Sequence, residues 1–237
     1  MTAPGGPNVL QLAEVPTPTL NQETDLLVRV QAVGQQPGTY AEWAVVDERF
    51  VAAKPQRLEF AAAAACPLVL ITAWEALYDR ARLQPGQTVL IHAGAGGVGH
   101  VAIQLARLQG ARVATTVSSA AKAEFARRLG AELVINYQQT DFVEAVLDWT
   151  DGQGVDITFD TVGGATLGQS FAATQIYGDV VTLLAPDPET VWKTARDRNQ
   201  RISFELMLTP LLKDLVADQI AQAKILSQCA RLLDNGE

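Results

Sequence analysis

Residues 88–117 read TVLIHAGAGGVGHVAIQLARLQGARVATTV. The opening TVLIHA is apolar almost throughout, as in a strand buried on both faces rather than one with a wet side. Four glycines then fill six positions, Gly94, Gly96, Gly97 and Gly99. After them Val98, Ala102, Leu105 and Ala106 recur at the spacing of one helix face. The segment ARVATTV resumes as a strand. Strand, glycine turn, helix and strand in so short a span form a βαβ unit, because parallel neighbours need a crossover.

The same alternation continues downstream. SAAKAEFARRL reads as a helix stopped by Gly130, ELVINY as a strand, and DFVEAVLDWT as a helix released by Asp151-Gly152. VDITFDTV is a strand, ATLGQSFAATQIY a helix ended by Gly178, and DVVTLLA a strand. PETVWKTARD is a helix, RISFELML the sixth strand, and residues 211–234 a last helix. Right-handed crossovers make this a Rossmann-type, doubly wound parallel α/β sheet, expected in the order 3-2-1-4-5-6. Upstream, VLQLAEV, DLLVRVQAV and TYAEWAVV are short β-like pieces separated by PTPTL and GQQPG, as in a small β lobe. LEFAAAAA and LVLITAWEALYDRAR read as two helices broken at Pro67, and Gln84-Pro85-Gly86-Gln87 as a turn. The expected division is 1–58 for the lobe and 59–237 for the Rossmann domain.

Composition narrows the function. The chain has 237 residues, 48% hydrophobic and 19% charged, with 18 basic and 26 acidic side chains and a formal charge of −8. That balance opposes electrostatic binding to nucleic acid or to an anionic membrane. The longest apolar run, FAAAAACPLVLITAW, is interrupted by Pro67 and too short to cross a bilayer, and the N-terminus lacks the pattern of a secretory leader. Two cysteines and two histidines, with no C-x-x-C or H-x-x-x-H pair, argue against a structural zinc. Reduced thiols in the cytosol are the simplest reading.

The glycines match G-x-G-x-x-G in the context that gives the pattern meaning. Gly94 permits the tight turn, Gly96 lets a diphosphate approach bare backbone, and Gly99 lets the helix pack on the strand. Free amides at the helix start would face the anion. At the end of the next strand, where an acid normally meets a free ribose 2′-hydroxyl, the chain has Ser118, Ser119 and Lys122. Hydroxyls and an ammonium suit the 2′-phosphate of NADPH, although a serine N-cap beside an exposed lysine has the same sequence.

ARLQPGQTVLIHAGAGGVGHVAIQLAR, RRLGAELVINY and GVDITFDTVGG resemble the zinc-free, NADPH-dependent quinone oxidoreductases, the zeta-crystallin branch of the medium-chain dehydrogenase/reductase superfamily. GGPNVLQLAEVPTPTL, LLVRVQAVG and GTYAEWAVV are similar to its N-terminal, GroES-like lobe. The resemblance implies Ala95, Gly96, Gly97 and Val98 at the pyrophosphate and Ser118 and Lys122 at the 2′-phosphate. It further implies Tyr137 beside the adenosine, Thr72 near the nicotinamide and Thr161 at the crevice. It implies homodimers joined by sheet edges, for which ISFELML is suited unless the last helix covers it. In the family VQAVG leads into a longer β stretch, whereas here Gly34 runs into Gln35-Gln36-Pro37-Gly38. The lobe is therefore expected to be shortened, and the final segment that returns to it to be missing after Glu237.

Hydride transfer to a quinone or enone needs few protein acids, because the cofactor carries the reactivity and the protein positions it. Tyr40 and Thr72 are the candidate hydroxyls for a substrate carbonyl, with Tyr40 equally readable as a packing aromatic. His92, His100 and Cys66 read as packed side chains, Trp74 and Tyr78 as a helical pair, and Asp156 and Asp160 as unsupported for acid–base work. The alternative to an enzyme is an NADPH-binding module without turnover.

Overall fold

A computed structural model describes residues 14–31 and 41–237. Two short strands, β1 (Asp25–Arg29) and β2 (Trp43–Asp47), pair antiparallel. Helix α1 (Phe60–Trp74) then leads through a π-helical turn, Glu75–Arg80, into the main sheet. That sheet comprises β3 (Thr88–Ile91), β4 (Arg112–Val117), β5 (Leu133–Asn136), β6 (Val155–Asp160), β7 (Thr174–Thr182) and β8 (Arg201–Phe204). The connecting helices are α2 (Gly97–Leu108), α3 (Ala120–Arg128), α4 (Phe142–Trp149), α5 (Ala165–Ala173) and α6 (Lys193–Asp197). The short α7 (Thr209–Leu212) and the long α8 (Val216–Asn235) follow β8.

The strand order is β5-β4-β3-β6-β7-β8, every pairing parallel, which is the expected 3-2-1-4-5-6 arrangement. Alternation along β3 sends Val89 and Ile91 to one face and Leu90 to the other. On the first face they meet α1, the π-helical turn, α2, α3 and α8, through Leu70, Leu77, Ile103, Ala126 and Cys229. On the second, Leu90 and Ala114 pack with Phe142 and Val146 of α4, and Leu167 and Phe171 of α5 pack with Val180. Each fully buried Ile, Leu or Phe contributes about 1.5–3 kcal/mol, so the six-stranded layer carries the stability.

Five boundaries differ from the sequence expectation. Pro67 does not break α1: it lies inside one continuous helix, its ring exposed, where a freed carbonyl can reach water. Phe60–Arg80 is consequently 21 residues of helical chain, long and apolar enough by composition to cross a membrane. Leu70, Ile71, Ala73, Ala76 and Leu77 instead belong to the core beside the sheet. The segment TQIY is strand, not helix. Tyr177 sits at φ 63°, and the β6–β7 register shifts between Val155 and Ile157, so this end of β7 is irregular. The strand RISFELML is paired only over Arg201–Phe204, and the regular helix before it only over Lys193–Asp197. The last helix is split at Asp214, whose left-handed φ of 53° ends α7 before α8 begins. The segment VLQLAEV lies largely outside the described residues.

Candidate functional site

The loops after β3, β4 and β6 gather along one edge of the sheet, at the point where the strand order reverses. In open parallel sheets that crevice is where ligands bind. Its first wall is the β3–α2 turn. A Cβ on Gly94 would lie 2.0 Å from Thr115 Oγ1, and one on Gly99 would lie 2.3 Å from the Ala93 carbonyl oxygen. Both glycines are thus required for the close approach of turn, strand and helix. Gly94 owes this to packing against β4 rather than to a left-handed turn, which falls on Ala93 at φ 50°.

Gly96 and Gly97 are exposed, and the helix they open has no side-chain cap. The first amides of a helix have no intrahelical acceptor, so those of Gly97, Val98 and Gly99 point out of the end of a 12-residue helix with its positive dipole end behind them. The Gly96 amide itself is used by the Ala93 carbonyl at 2.8 Å. His100 Nδ1 donates to the Gly96 carbonyl at 2.8 Å, which assigns this histidine to bracing the turn. Bare, uncapped amides with no Cβ in front fit a diphosphate.

The second wall is the β4–α3 loop. Lys122 Nζ donates to Ser118 Oγ at 3.0 Å, and Ser119 Oγ accepts the Lys122 amide as the N-cap of α3. Ser118 and Lys122 are therefore side by side at the surface, while Ser119 serves the helix. Tyr137, after β5, is 54% exposed on the same edge. A monoanionic or dianionic phosphate fits the Ser118–Lys122 pair, which offers a hydroxyl and an ammonium and no carboxylate.

The third wall is the loop DTVGG after β6. Thr161 Oγ1 donates to the His92 carbonyl at 2.8 Å, joining the ends of β6 and β3 at the switch point. Asp160 is fully buried and holds this lip in shape: Oδ1 accepts the amides of Val162 and Gly163 at 2.9 Å each, and Oδ2 accepts Thr182 Oγ1 at 2.9 Å. The sequence reading weighed Asp160 only as an acid or base. Its actual signal was an Asp ending a strand just ahead of Gly163-Gly164, the composition of a turn closed by its own side chain.

His92 lies beneath the lip. Ser170 Oγ donates to the Thr166 carbonyl, so it accepts from His92 Nε2 at 3.0 Å; Nδ1 then accepts the Thr116 hydroxyl at 3.2 Å. Burial holds this imidazole neutral, its pKa pushed down to about 4 against the opposing field of Asp160. It is a packed side chain, edge-on to Phe142.

Thr72 is 5% exposed within α1. A Cβ on Gly97 would meet Val69 at 3.4 Å. Thr72, one turn beyond Val69, is therefore on the helix that passes the diphosphate turn. Tyr40 lies outside the described residues. Trp74 and Tyr78 form the expected pair, edge to face at 4.7 Å, with the Tyr78 hydroxyl donating to the Leu105 carbonyl. Cys66 is half-buried on α1 and Cys229 buried on α8, and both line a cavity of about 390 Å³ between α1, α2 and α8. A separate apolar groove of about 470 Å³ runs between β1, β2, α1 and α8, lined by Val28, Val46, Phe60 and Leu70. None of the dinucleotide candidates lines it. Among the described residues no group of three or more His, Cys, Asp or Glu is placed to hold a metal.

Residues 97–205 match the zinc-binding dehydrogenase family. Among solved structures, an alcohol dehydrogenase superfamily protein from Novosphingobium aromaticivorans is 39% identical with a TM-score of 0.78, over 84% of this chain and 58% of that one. The CurK enoyl reductase is 30% identical with a TM-score of 0.69, over 82% and 57%. Over this region the chain is similar to dehydrogenases and reductases. A curated relative, the highly reducing polyketide synthase poxF of Penicillium oxalicum, is 39% identical over 142 residues. That match takes 59% of this chain and 6% of the relative. The chain thus spans a little over half the length of the solved relatives named here and a small part of the synthase. The donor set of the described residues does not fit the zinc in the family's description.

Proposed function

We propose that the protein is an NADPH-dependent, zinc-independent oxidoreductase that reduces a conjugated carbonyl acceptor, a quinone or an enone. The observation that carries this reading is the uncapped glycine turn at the switch point beside a surface serine–lysine pair. The enone side of the acceptor range is supported by the likeness to an enoyl reductase, and the quinone side by the motifs TVLIHAGAGGVG and DTVGG.

When bound, reduced nicotinamide would supply a hydride, two electrons with one proton, to the acceptor. The chain's own residues bind and orient it. The Gly97, Val98 and Gly99 amides take the diphosphate, with Ala95 and Gly96 leaving room for it; Ser118 and Lys122 take the 2′-phosphate, and Tyr137 flanks the adenosine. Thr161 shapes the crevice at the nicotinamide half, and Thr72 walls it from α1. Tyr40 and Thr72 are the hydroxyls assigned to the acceptor carbonyl, and solvent delivers the proton. In this reading 1–58 form the lobe and 59–237 the nucleotide domain.

The protein is further proposed to be a cytosolic homodimer joined through β8. Phe204 is 52% exposed on that outer strand, and α8 packs on α1 rather than over the edge. A dimer by light scattering supports this, and a monomer at micromolar concentration refutes it.

A second reading, a cofactor-binding module without turnover, is favoured by one feature: Thr72, the hydroxyl assigned to the acceptor among the described residues, is only 5% exposed. The two readings separate in one cuvette. NADPH absorbance falling on addition of benzoquinone or an enoyl thioester supports the enzyme; enhanced NADPH fluorescence without that loss supports the module.

A further inference from the structure

Glu205 follows β8 directly, and its side chain is fully buried. No donor reaches either carboxyl oxygen in hydrogen-bonding alignment. Arg80 Nε touches Oε2 at 3.1 Å from the π-helical turn, but off the axis of a hydrogen bond, and the guanidinium is itself half in water. The neighbouring acid is Glu75, on the same π-helical turn as Arg80. Two carboxylates accept only, so they bond to each other only if one carries a proton. Glu75 is held from its other side: Gln222 Nε2 of α8 donates to Glu75 Oε1 at 3.1 Å and to the Met207 carbonyl at 2.7 Å.

This cluster is wired to the crevice. The Glu205 amide donates to the Thr182 carbonyl at 3.0 Å. The Thr182 hydroxyl donates to Asp160, whose other oxygen holds the Val162 and Gly163 amides of the lip. Glu75 lies one turn beyond Thr72 on the continuous helical chain.

We infer that Glu205 and Glu75 share a single proton across a buried hydrogen bond, and that this bond is a latch joining the end of β8, the turn after α1 and helix α8. Glu205 is thereby a positioning residue for the crevice lip. Burial and the neighbouring Glu75 and Asp79 push its pKa up from 4.5 to about 8, and Arg80 opposes them. The folded state therefore keeps a proton that the unfolded chain releases. The latch's contribution is complete below about pH 4.5 and is lost as pH rises through about 8.

The test compares the 237-residue chain with its Glu205→Gln and Glu75→Gln variants, since an amide donates without a titrating proton, whereas Glu205→Ala would leave a hole. Unfolding is followed without nucleotide from pH 5 to 9. The folded-to-unfolded ratio of the wild type should fall relative to Glu205→Gln by up to roughly tenfold per pH unit below pH 8, and Glu75→Gln should flatten the profile likewise. A carboxylic-acid carbonyl band in the infrared at pH 7, absent from Glu205→Gln, is the accompanying signature. Parallel pH profiles for all three proteins, or no such band, overturn the shared proton. The positioning role alone rests on the proposed NADPH crevice. It predicts that NADPH affinity of the wild type drops severalfold between pH 7 and 9 while that of Glu205→Gln holds, and equal drops overturn it. Failure of both proteins to bind NADPH at pH 6, with the stability difference intact, overturns the NADPH crevice and leaves the latch standing.

Discussion

The two halves of the crevice edge solve opposite problems. Beyond β3 and β4 the chain leaves donors outward: bare amides at Gly97–Gly99 and an ammonium at Lys122 beside a serine. Beyond β6 it turns donors inward onto a buried carboxylate, Asp160, which collects two amides and a hydroxyl, while Glu205 after β8 is buried beside Arg80 with no aligned donor. An end whose donors face out is built for an anion from outside. An end whose donors are consumed internally is built to hold a shape. On the proposed reading, recognition of the phosphates falls to the first end and the fixed geometry of the lip to the second.

The sharpest way to break the contrast is to fill the turn. Gly99→Ala places a Cβ 2.3 Å from a backbone carbonyl, where no side chain is able to yield. Overpacking of this kind costs about 1–3 kcal/mol, so urea unfolding should show that loss together with abolished NADPH binding. Next comes the inward end. Asp160→Asn keeps an oxygen for the Val162 and Gly163 amides but puts an NH2 against the Thr182 hydroxyl, losing the bond that hydroxyl donates and leaving a buried N–H unpaired at about 1–3 kcal/mol. Stability should fall with NADPH binding weakened, not abolished.

Lys122→Ala tests the outward end alone. A charge-assisted hydrogen bond is worth about 1.5–3 kcal/mol, so NADPH affinity should fall tenfold or more with NADH affinity and stability unchanged. Fluorescence titration of both nucleotides checks it. Acid probes the buried histidine between the two ends. His92 has a folded pKa near 4, below its ordinary 6.5, so the unfolded chain binds that proton more readily. The His92 contribution is present above pH 6.5 and lost as pH falls toward 4; His92→Gln should flatten that acid limb in thermal unfolding. The smallest effect belongs to the solvated pair Arg128–Glu124 on α3. Arg128→Ala should leave the unfolding midpoint unmoved.

The outward end was legible in the sequence because local patterns define it. A buried strand, spaced glycines and a helical apolar face all fall within residues 88–108, and a missing acid after β4 is visible by inspection. The strand order followed from chirality once the alternation was seen. The inward end was not legible, because its meaning depends on partners far along the chain. Glu205 in RISFELML reads as an ordinary charged position until residues 75, 80 and 222 are brought against it. The helix ATLGQSFAATQIY is overextended in the sequence because Leu167 and Phe171 set a helical spacing and no breaker follows before Gly178, and only the left-handed Tyr177 and the ladder to β6 make the second half a strand. Pro67 misled in the opposite direction: a proline on an exposed helix face removes one bond without ending the helix.

The most direct measurement is the response of the backbone amides of Gly97, Val98 and Gly99 to 2′,5′-ADP, followed by nitrogen-proton NMR against 5′-ADP as the control. The account predicts large shifts at these three amides with both nucleotides, and at least tenfold tighter binding of the 2′-phosphorylated one. Unmoved amides at saturating nucleotide, or equal affinity for the two, would contradict it.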